Sequence, residues 1–317
     1  MMRLTRRAVL SAAAGMAVAP GLANSATAPA ADDTGFIPVA GGKVWWRRFG
    51  KGKTKTPLLL LHGGPGAGHD YLLPMQALAD ERPVIVYDQL GCGKSDLPED
   101  EKLYTFARFV EEVDLVRKAL GLDRVILFGN SWGGMLAIEY LVTGHGQGVD
   151  KLVLSGSLAS IPQASAGINR LVDNLPNGVG KRIRELEAAG QQASKEYQDL
   201  VGVFYATHLC RRNPPPPEFE ATAANLMKSP AYRIMNGPNE FTITGVIKDW
   251  ERRADLRLIK TPTLITTGEF DEITIDCSEA LHTGINGSQL VVMPGASHLT
   301  MLEQPEAYNA IVRKFIA

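Results

Sequence analysis

One serine in this chain has the surroundings of a catalytic nucleophile. Ser131 lies at the centre of residues 129–133 (GNSWG), which match a G-x-S-x-G pattern. On such a sharp turn the serine is held exposed above a sheet, and the N-terminus of the next helix points at it. This arrangement suits acyl transfer, in which the hydroxyl attacks a carbonyl while a base accepts its proton.

The segments on either side of Ser131 fit such a turn. Residues 125–128 (VILF) form an apolar run typical of a buried strand, and residues 134–141 (GMLAIEYL) favour a helix. A strand that leads through G-x-S-x-G into a helix predicts a nucleophile elbow at Ser131. The alternative, a serine that only caps the helix, is weaker because the apolar strand leads directly into it.

The nucleophile needs an acid and a base, which come from strand ends further along the chain. The expected order is serine, then acid, then histidine. Asp271 follows a predicted strand at 263–267 and is the predicted acid. Glu269, Glu272 and Asp276 lie close enough in sequence to compete for this role.

The predicted base is His298. Of the six histidines, it alone lies between the last predicted strand, 289–293, and the last predicted helix, 305–316. His62 is the main alternative, but it belongs to a loop after an earlier strand and is predicted to make structural hydrogen bonds.

Two backbone N–H groups are predicted to stabilise the oxyanion that forms during acyl transfer. One belongs to Trp132, directly after the nucleophile. The other should come from the loop 62–66 (HGGPG), with Gly64 as the predicted donor because glycine allows the backbone to approach the substrate closely. This chemistry needs neither a metal nor an organic cofactor.

The rest of the chain alternates between strand and helix patterns. The predicted strands are an N-terminal hairpin at 36–49 and runs at 57–61, 83–87, 125–128, 151–154, 263–267 and 289–293; further helices are predicted at 106–120 and 305–316. Continuous apolar strands separated by helices imply a parallel sheet covered on both faces. Together with the elbow, they predict an α/β-hydrolase fold with a mostly parallel sheet.

The alternation stops between about residues 161 and 255, a polar, helix-rich segment that contains four consecutive prolines at 214–217. At this place in the order, an insertion is typical of a helical cap that covers the site and carries substrate selectivity. The predicted core is therefore residues 31–160 and 256–317. A separately folded domain is less well supported, because strands of the main sheet flank the insertion.

The bulk composition fits an enzyme with a large core. The chain has 317 residues, is 45% hydrophobic and carries a formal net charge of −1. This balance gives no reason to expect nucleic acid or an anionic membrane as a partner. The three cysteines (Cys92, Cys210 and Cys277) do not make a disulfide framework. The oligomeric state stays open.

Residues 1–30 are predicted to be a Tat-type export signal. Arg6 and Arg7 precede a short stretch rich in Ala, Gly and Val, and cleavage could follow Ala26, Ala28 or Ala30. The stretch is too short to predict a stable membrane span. A Sec signal or a basic tail is the alternative. The mature protein would begin near Ala31, in the periplasm or outside the cell.

Motifs along the whole mature chain resemble the proline iminopeptidases (prolyl aminopeptidases), a serine-peptidase group within the α/β-hydrolases. They are HGGPGAGHDYL (62–72), YDQLGCGKSD (87–96), GNSWGG (129–134), YRIMNGPNEFTITGVIKDW (232–250), GEFDEIT (268–274) and SHLTMLEQPEAY (297–308). The cap motif is the most selective and is similar to the tricorn-interacting aminopeptidase and amino-acid amidase branch. The export signal is a departure from many relatives.

The resemblance implies that Glu240 and Glu272 bind the free α-ammonium group of the substrate. A buried ammonium needs opposite charge, and two carboxylates can fix its direction. The implied reaction is release of an N-terminal residue, preferentially proline, from short peptides, with amino-acid amides as possible substrates.

Other activities stay open at this point. An L-amino acid amidase would use the same groups, and an esterase or lactonase would need no ammonium site. An epoxide hydrolase or dehalogenase would require Asp at position 131, and a noncatalytic binding protein would normally lack one member of the triad.

Overall fold

The computed structural model describes residues 33–317, and the predicted export signal at 1–30 lies outside them. An eight-stranded sheet forms the centre of the described part. Its strands are β1 (Asp33–Val39), β2 (Gly42–Phe49), β3 (Leu58–Leu61), β4 (Val84–Tyr87), β5 (Val125–Asn130), β6 (Val149–Ser155), β7 (Thr263–Gly268) and β8 (Gln289–Met293). They lie in the order β1-β2-β4-β3-β5-β6-β7-β8.

The sheet is parallel from β4 to β8, and the hairpin of β1 and β2 adds two antiparallel strands at one edge. Strands β3, β4 and β5 are buried along their whole length, which is why they read as continuous apolar runs in the sequence. The prediction of a mostly parallel sheet is confirmed.

Helices cover both faces of this sheet. They are α1 (Phe106–Ala119), α2 (Trp132–Val142), α3 (Ile161–Asp173), α4 (Val179–Ala188), α5 (Lys195–His208), α6 (Pro217–Lys228), α7 (Ile275–Gly284), α8 (Thr300–Glu303) and α9 (Pro305–Ile316). Among residues 33–317, no helix is both long enough and apolar enough to cross a membrane. Sequence patterns predict α1, α2 and α9 but not α7 or α8.

Two apolar clusters hold the helices onto the sheet. Helices α1 and α2 pack on one face through side chains such as Phe109 and Leu136, and α9 packs on the other through Tyr308 and Val312. Each buried apolar side chain of this size contributes about 1.5–3 kcal/mol. The strand ends that carry the candidate site are therefore firmly anchored.

Helices α3 to α6 lie between β6 and β7, and we refer to residues 161–255 as the cap. The two segments that connect it to the core pair with each other, since Arg252 N donates to Ala159 O (2.7 Å) and Ile161 N donates to Trp250 O (3.0 Å). Glu139 of α2 accepts hydrogen bonds from Trp250 Nε1 (2.9 Å) and from Arg252 Nε (2.8 Å) and Nη2 (2.7 Å). The connections are thus fixed to the helix that starts at the elbow.

Candidate active site

Ser131 lies in the turn between β5 and α2 with φ 54° and ψ −122°, a conformation that costs a non-glycine residue about 1–3 kcal/mol. Its backbone N–H donates to Ser155 O (3.0 Å) and holds the turn against β6. The flanking glycines are needed for space. A Cβ at Gly129 would lie 2.3 Å from Gly133 O, and a Cβ at Gly133 would lie 2.0 Å from Leu61 O.

Among the described residues, the backbone N–H groups of Gly64 and Trp132 donate to no protein acceptor. The preceding N–H, of Gly63, donates instead to Tyr71 OH (2.7 Å), which donates to Asn130 Oδ1 (2.7 Å). Gly64 and Ser131 border the same cavity. This geometry leaves Gly64 and Trp132 free to serve an oxyanion, as the sequence predicts.

His62 supports the loop from behind. Its Nε2 accepts from Gln89 N (3.0 Å), so Nδ1 carries the proton and donates to Gly63 O (2.9 Å). Burial lowers the pKa of His62, which favours this neutral form. The side chain is fully buried, and its hydrogen bonds hold the loop in place, in agreement with the structural role that the sequence analysis gave it.

Asp271 and His298 form a buried pair. His298 Nδ1 donates to Asp271 Oδ1 (2.7 Å), and this oxygen also accepts from Ile273 N (2.9 Å). The second carboxylate oxygen accepts from Thr267 Oγ1 (3.1 Å). The Asp271 bond leaves Nε2 as the imidazole nitrogen for proton exchange, and His298 and Ser131 border one cavity.

The competing carboxylates near Asp271 make other contacts. Glu269 is exposed and accepts from Gly295 N (2.8 Å). Asp276 forms an ion pair with Arg170 (3.3 Å) and accepts from Thr274. Of the four acidic residues considered in the sequence analysis, Asp271 is the one hydrogen-bonded to His298.

Gly156, at the end of β6, gives the Asp271–His298 pair its room. A Cβ at this position would lie 2.9 Å from both Asp271 Oδ2 and His298 Nδ1. The sequence analysis did not identify Gly156, because nothing in the local pattern places β6 beside these two loops.

Glu272 is buried but incompletely paired. Its Oε1 lies 3.7 Å from His298 Nε2, and its Oε2 has no hydrogen-bond partner among the described residues. Burial raises the pKa of Glu272 well above its usual range, and the carboxylates of Glu240 and Asp271 add to this effect. Such a group accommodates a cation readily, because a positive partner removes the cost of burying its charge.

Glu240 comes from the cap and faces the same cavity as Glu272. Tyr232 OH donates to Glu240 Oε1 (2.7 Å), and Tyr205 also borders the cavity. Burial raises the pKa of the Glu240 carboxyl. Two carboxylates and two tyrosines therefore line one wall. The sequence analysis missed both tyrosines, although Tyr232 opens the 232–250 motif.

The carboxylates act on His298 as well. Burial lowers the pKa of His298, but the negative charges of Asp271, Glu272 and Glu240 outweigh burial and raise it to about 9. These charges favour the protonated imidazole, and a bound ammonium would oppose this effect by neutralising the carboxylates.

Two cavities meet at Ser131. The larger has a volume of about 960 Å³ and the smaller about 20 Å³, and both are bordered by Gly64, Ser131 and Glu240. The small cavity is lined by Leu158, Ile161, Ala164, Ile168, Ile243 and Ile247. The site thus offers a compact apolar space on one side of the serine and a wide space on the other.

The cap is hydrogen-bonded to both loops that carry the candidate acid and base. His208 O, at the end of α5, accepts from Glu272 N (3.2 Å) and from His298 N (3.1 Å). Glu303 accepts from Ser297 N (2.5 Å) and Ser297 Oγ (2.7 Å), and from Arg211 N. None of these links was found from the sequence.

Within residues 33–317, no group of three or more His, Cys, Asp or Glu side chains is arranged to hold a metal ion. The polar groups around Ser131 include those of acyl transfer and of cation binding: a hydroxyl, an imidazole, two backbone N–H groups and two carboxylates.

Comparison with known proteins gives a consistent result. Residues 56–305 match the family model for the alpha/beta hydrolase fold. A proline iminopeptidase of Thermoplasma volcanium is 42% identical over 288 residues, which cover 90% of this chain and 96% of that protein. The crystal structure of the proline iminopeptidase of Mycobacterium smegmatis superposes with a TM-score of 0.84 at 34% identity, covering 90% and 97% of the two chains. That of VinJ superposes with a TM-score of 0.86 at 33% identity, covering 90% and 99%. The chain therefore belongs to the proline iminopeptidase family of the α/β-hydrolases.

Proposed function

We propose that this chain is a serine aminopeptidase that releases the N-terminal residue, preferentially proline, from short peptides. The observation that carries the proposal is one cavity that joins Ser131 and His298 to the carboxylates of Glu240 and Glu272. A nucleophile beside a cation site suits a substrate whose reacting carbonyl lies close to a free amine. Relatives named proline iminopeptidase support the same function.

The reaction is acyl transfer. Ser131 Oγ attacks the carbonyl of the N-terminal residue while His298 Nε2 accepts the hydroxyl proton, and Asp271 holds the imidazole through Nδ1. The N–H groups of Gly64 and Trp132 stabilise the oxyanion. His298 then protonates the leaving amine, and water hydrolyses the acyl-enzyme to free the amino acid.

Glu240 and Glu272 bind the substrate's ammonium. The ammonium donates one hydrogen bond to Glu272 Oε2, which has no other partner among the described residues. It donates another to Glu240, whose Oε1 already accepts a hydrogen bond from Tyr232 OH. The ammonium also neutralises the charges that raise the pKa of His298. Binding of the correct substrate therefore lowers the pKa of His298 and favours the neutral base that the first step requires.

The preference for proline is supported by the relatives named proline iminopeptidase. The small cavity beside Ser131 offers apolar walls for the first residue, but at about 20 Å³ it has room for about one water, so its walls must shift to admit a pyrrolidine ring. The cavity is also bordered by Glu240, so that the amine and the ring of one residue can be held together.

An L-amino acid amidase and an esterase are the alternatives. The large cavity of about 960 Å³ favours a peptidase over an amidase, because an amidase's leaving group is small. The buried carboxylate of Glu272 and the half-buried one of Glu240 disfavour an esterase, since a neutral ester brings them no cationic partner.

The test is a matched substrate set: proline, alanine and leucine p-nitroanilides, proline amide, N-acetylproline p-nitroanilide and p-nitrophenyl acetate. We expect rapid hydrolysis of proline p-nitroanilide and none of its acetylated form. Activity confined to amino-acid amides would identify an amidase, and activity confined to the ester would remove the ammonium site from the mechanism.

We further propose that the protein is exported by the Tat pathway and acts in the periplasm or outside the cell. Support comes from the paired Arg6 and Arg7 before a short apolar stretch. The free cysteines in the described part, Cys92, Cys210 and Cys277, fit a protein that folds before export and needs no disulfide. Cell fractionation tests this: replacing both arginines with lysine should retain the protein in the cytoplasm, whereas unchanged export would refute a Tat route.

A further inference from the structure

The large cavity is bordered by charges of both signs. Glu240 and the buried Glu272 lie on it together with Ser131, and the exposed side chains of Arg211, Arg212 and Lys228 also border it; we call the part next to these three cations the basic end. In residues 33–317, none of these three cations is in an ion pair with a carboxylate. The cavity is therefore complementary to a molecule with a cation at one end and an anion at the other.

The direction of the substrate follows from the two cavities that meet at Ser131. The proposed function places the first residue between the small apolar cavity and Glu240, so the part that leaves must extend into the large cavity. Its walls come from one side of α5 (Gln198, Gly202, Tyr205) and one side of α6 (Phe219, Ala223, Leu226). A Cβ added at Gly202 would meet no atom within 4 Å, so this wall leaves open space.

Arg211 is held in position at the end of this route. Its guanidinium stacks on the ring of Phe270 (3.9 Å to the centroid), and its Nη1 donates to Thr207 O (3.2 Å). Arg212 Nη1 donates to Glu303 O (3.4 Å). Both guanidinium groups keep further N–H donors for a ligand, and arginine recognises carboxylates through paired donors.

We propose that Arg211, Arg212 and Lys228 form a subsite for a carboxylate on the leaving part of the substrate. The preferred substrates are then zwitterionic short peptides, with the ammonium at Glu240 and Glu272 and the carboxylate at the basic end. The inference rests on the proposed aminopeptidase function and adds the chemical class of the residues after the scissile bond.

The first test compares substrates that differ by one charge. Prolyl-alanine and prolyl-alanine amide share every group except the terminal carboxylate. We expect the wild-type enzyme to favour the free acid by about fivefold in kcat/KM, the size of an exposed multi-charge interaction. Equal values for the two substrates would overturn the proposal.

Variants locate the effect. In the double variant Arg211→Gln/Arg212→Gln, the ratio of acid to amide should fall to about 1. Arg233→Gln is the matched control, because Arg233 borders the same cavity but is paired with Glu99 (2.7 Å), and it should keep the wild-type ratio. An unchanged ratio in the double variant, or equal loss in the control, would refute the subsite.

A measurement on the wild-type enzyme does not depend on the variants folding. Raising NaCl from about 0.01 M to about 1 M shortens the screening length from roughly 30 Å to 3 Å and should bring the ratio towards 1. If the ratio of kcat/KM for the acid to that for the amide did not change with salt concentration, binding by exposed cations would be refuted.

A second comparison of substrates identifies which carboxylate is bound. Prolyl-aspartyl amide carries its charge on a side chain, and prolyl-alanine carries it at the C-terminus. A preference for prolyl-alanine alone assigns the subsite to the terminal carboxylate, and a preference for both assigns it to carboxylates in general. Proline p-nitroanilide separates the two proposals: without its hydrolysis the aminopeptidase function fails, whereas hydrolysis with no acid preference removes only the subsite.

Discussion

Asp271 and Glu272 are neighbours in the sequence, and both are buried, but the protein treats their carboxylates differently. Both oxygens of Asp271 accept hydrogen bonds, from His298, Ile273 and Thr267. Glu272 has one oxygen 3.7 Å from His298 Nε2 and another with no partner in the described part of the chain.

The difference separates two tasks. A carboxylate with all its acceptors in use is fixed in place and can orient an imidazole throughout the reaction. A buried carboxylate with an open acceptor costs free energy until a donor arrives, so it is suited to a ligand. Hydrogen-bond satisfaction thus distinguishes a group that serves the protein from one that serves the substrate.

The largest effect should come from Asp271→Asn, which removes the charge that orients and stabilises the imidazolium. We expect kcat to fall by about 10⁴-fold on proline p-nitroanilide and on p-nitrophenyl acetate alike. Thermal unfolding should confirm that the variant is folded. A loss confined to the substrate with a free amine would place Asp271 with Glu272 and break the comparison.

Gly156→Ala should displace the side chains of Asp271 and His298. The added Cβ lies 2.9 Å from Asp271 Oδ2 and His298 Nδ1, so the pair must shift, and we expect about 10²-fold lower kcat on every substrate. Gly178→Ala is the control. Its φ of +73° imposes a similar backbone penalty, but no atom lies within 4 Å of the new Cβ, so turnover should stay near that of the wild type.

Glu272→Gln should mainly weaken recognition of the amine. We expect about 30-fold lower kcat/KM on proline p-nitroanilide, because a charge-assisted hydrogen bond is lost, and no decrease on p-nitrophenyl acetate. Glu269→Gln, an exposed acid three positions earlier in the same loop, should behave as wild type on both. A fall on the ester equal to that on the anilide would show that Glu272 supports the triad rather than the substrate.

The smallest effect concerns pH. His298 must be neutral to act as a base, and nearby carboxylates raise its pKa to about 9, so kcat/KM for p-nitrophenyl acetate should rise with pH until about 9. Removing one negative charge makes the imidazolium less stable and lowers that pKa. In Glu272→Gln the acidic limb should therefore move down by roughly one unit, after subtraction of spontaneous hydrolysis. If the acidic limb of the variant's pH profile coincided with that of the wild type, Glu272 would carry no charge in the free enzyme.

The sequence predicts a catalytic residue well where the local pattern of strand and helix marks its place in the fold. Ser131, Asp271 and His298 each follow a strand that reads as apolar, and the chain order in this fold assigns a candidate to each role. The structure brings Asp271 and His298 into contact and puts Ser131 on the same cavity as His298.

Other positions depend on contacts between distant segments. Glu240 could be singled out only through the resemblance to a family, because it lies in a polar cap with many charges. Tyr232, Gly156 and Glu303 were missed because their neighbours come from segments remote in sequence. Helix α7, residues 275–284 (IDCSEALHTG), has too few apolar residues at regular spacing to be predicted.

The carbonyl of His208 holds both loops of the acid–base pair through the backbone amides of Glu272 and His298. It belongs to the inserted helices, yet it completes the hydrogen bonding of loops that follow strands of the main sheet. Exchange of caps between relatives, whether by recombination or by protein engineering, therefore has a natural cutting point after this carbonyl rather than at the ends of the insertion. Specificity could diverge through α6 and the later cap residues, while α5 is inherited with the core.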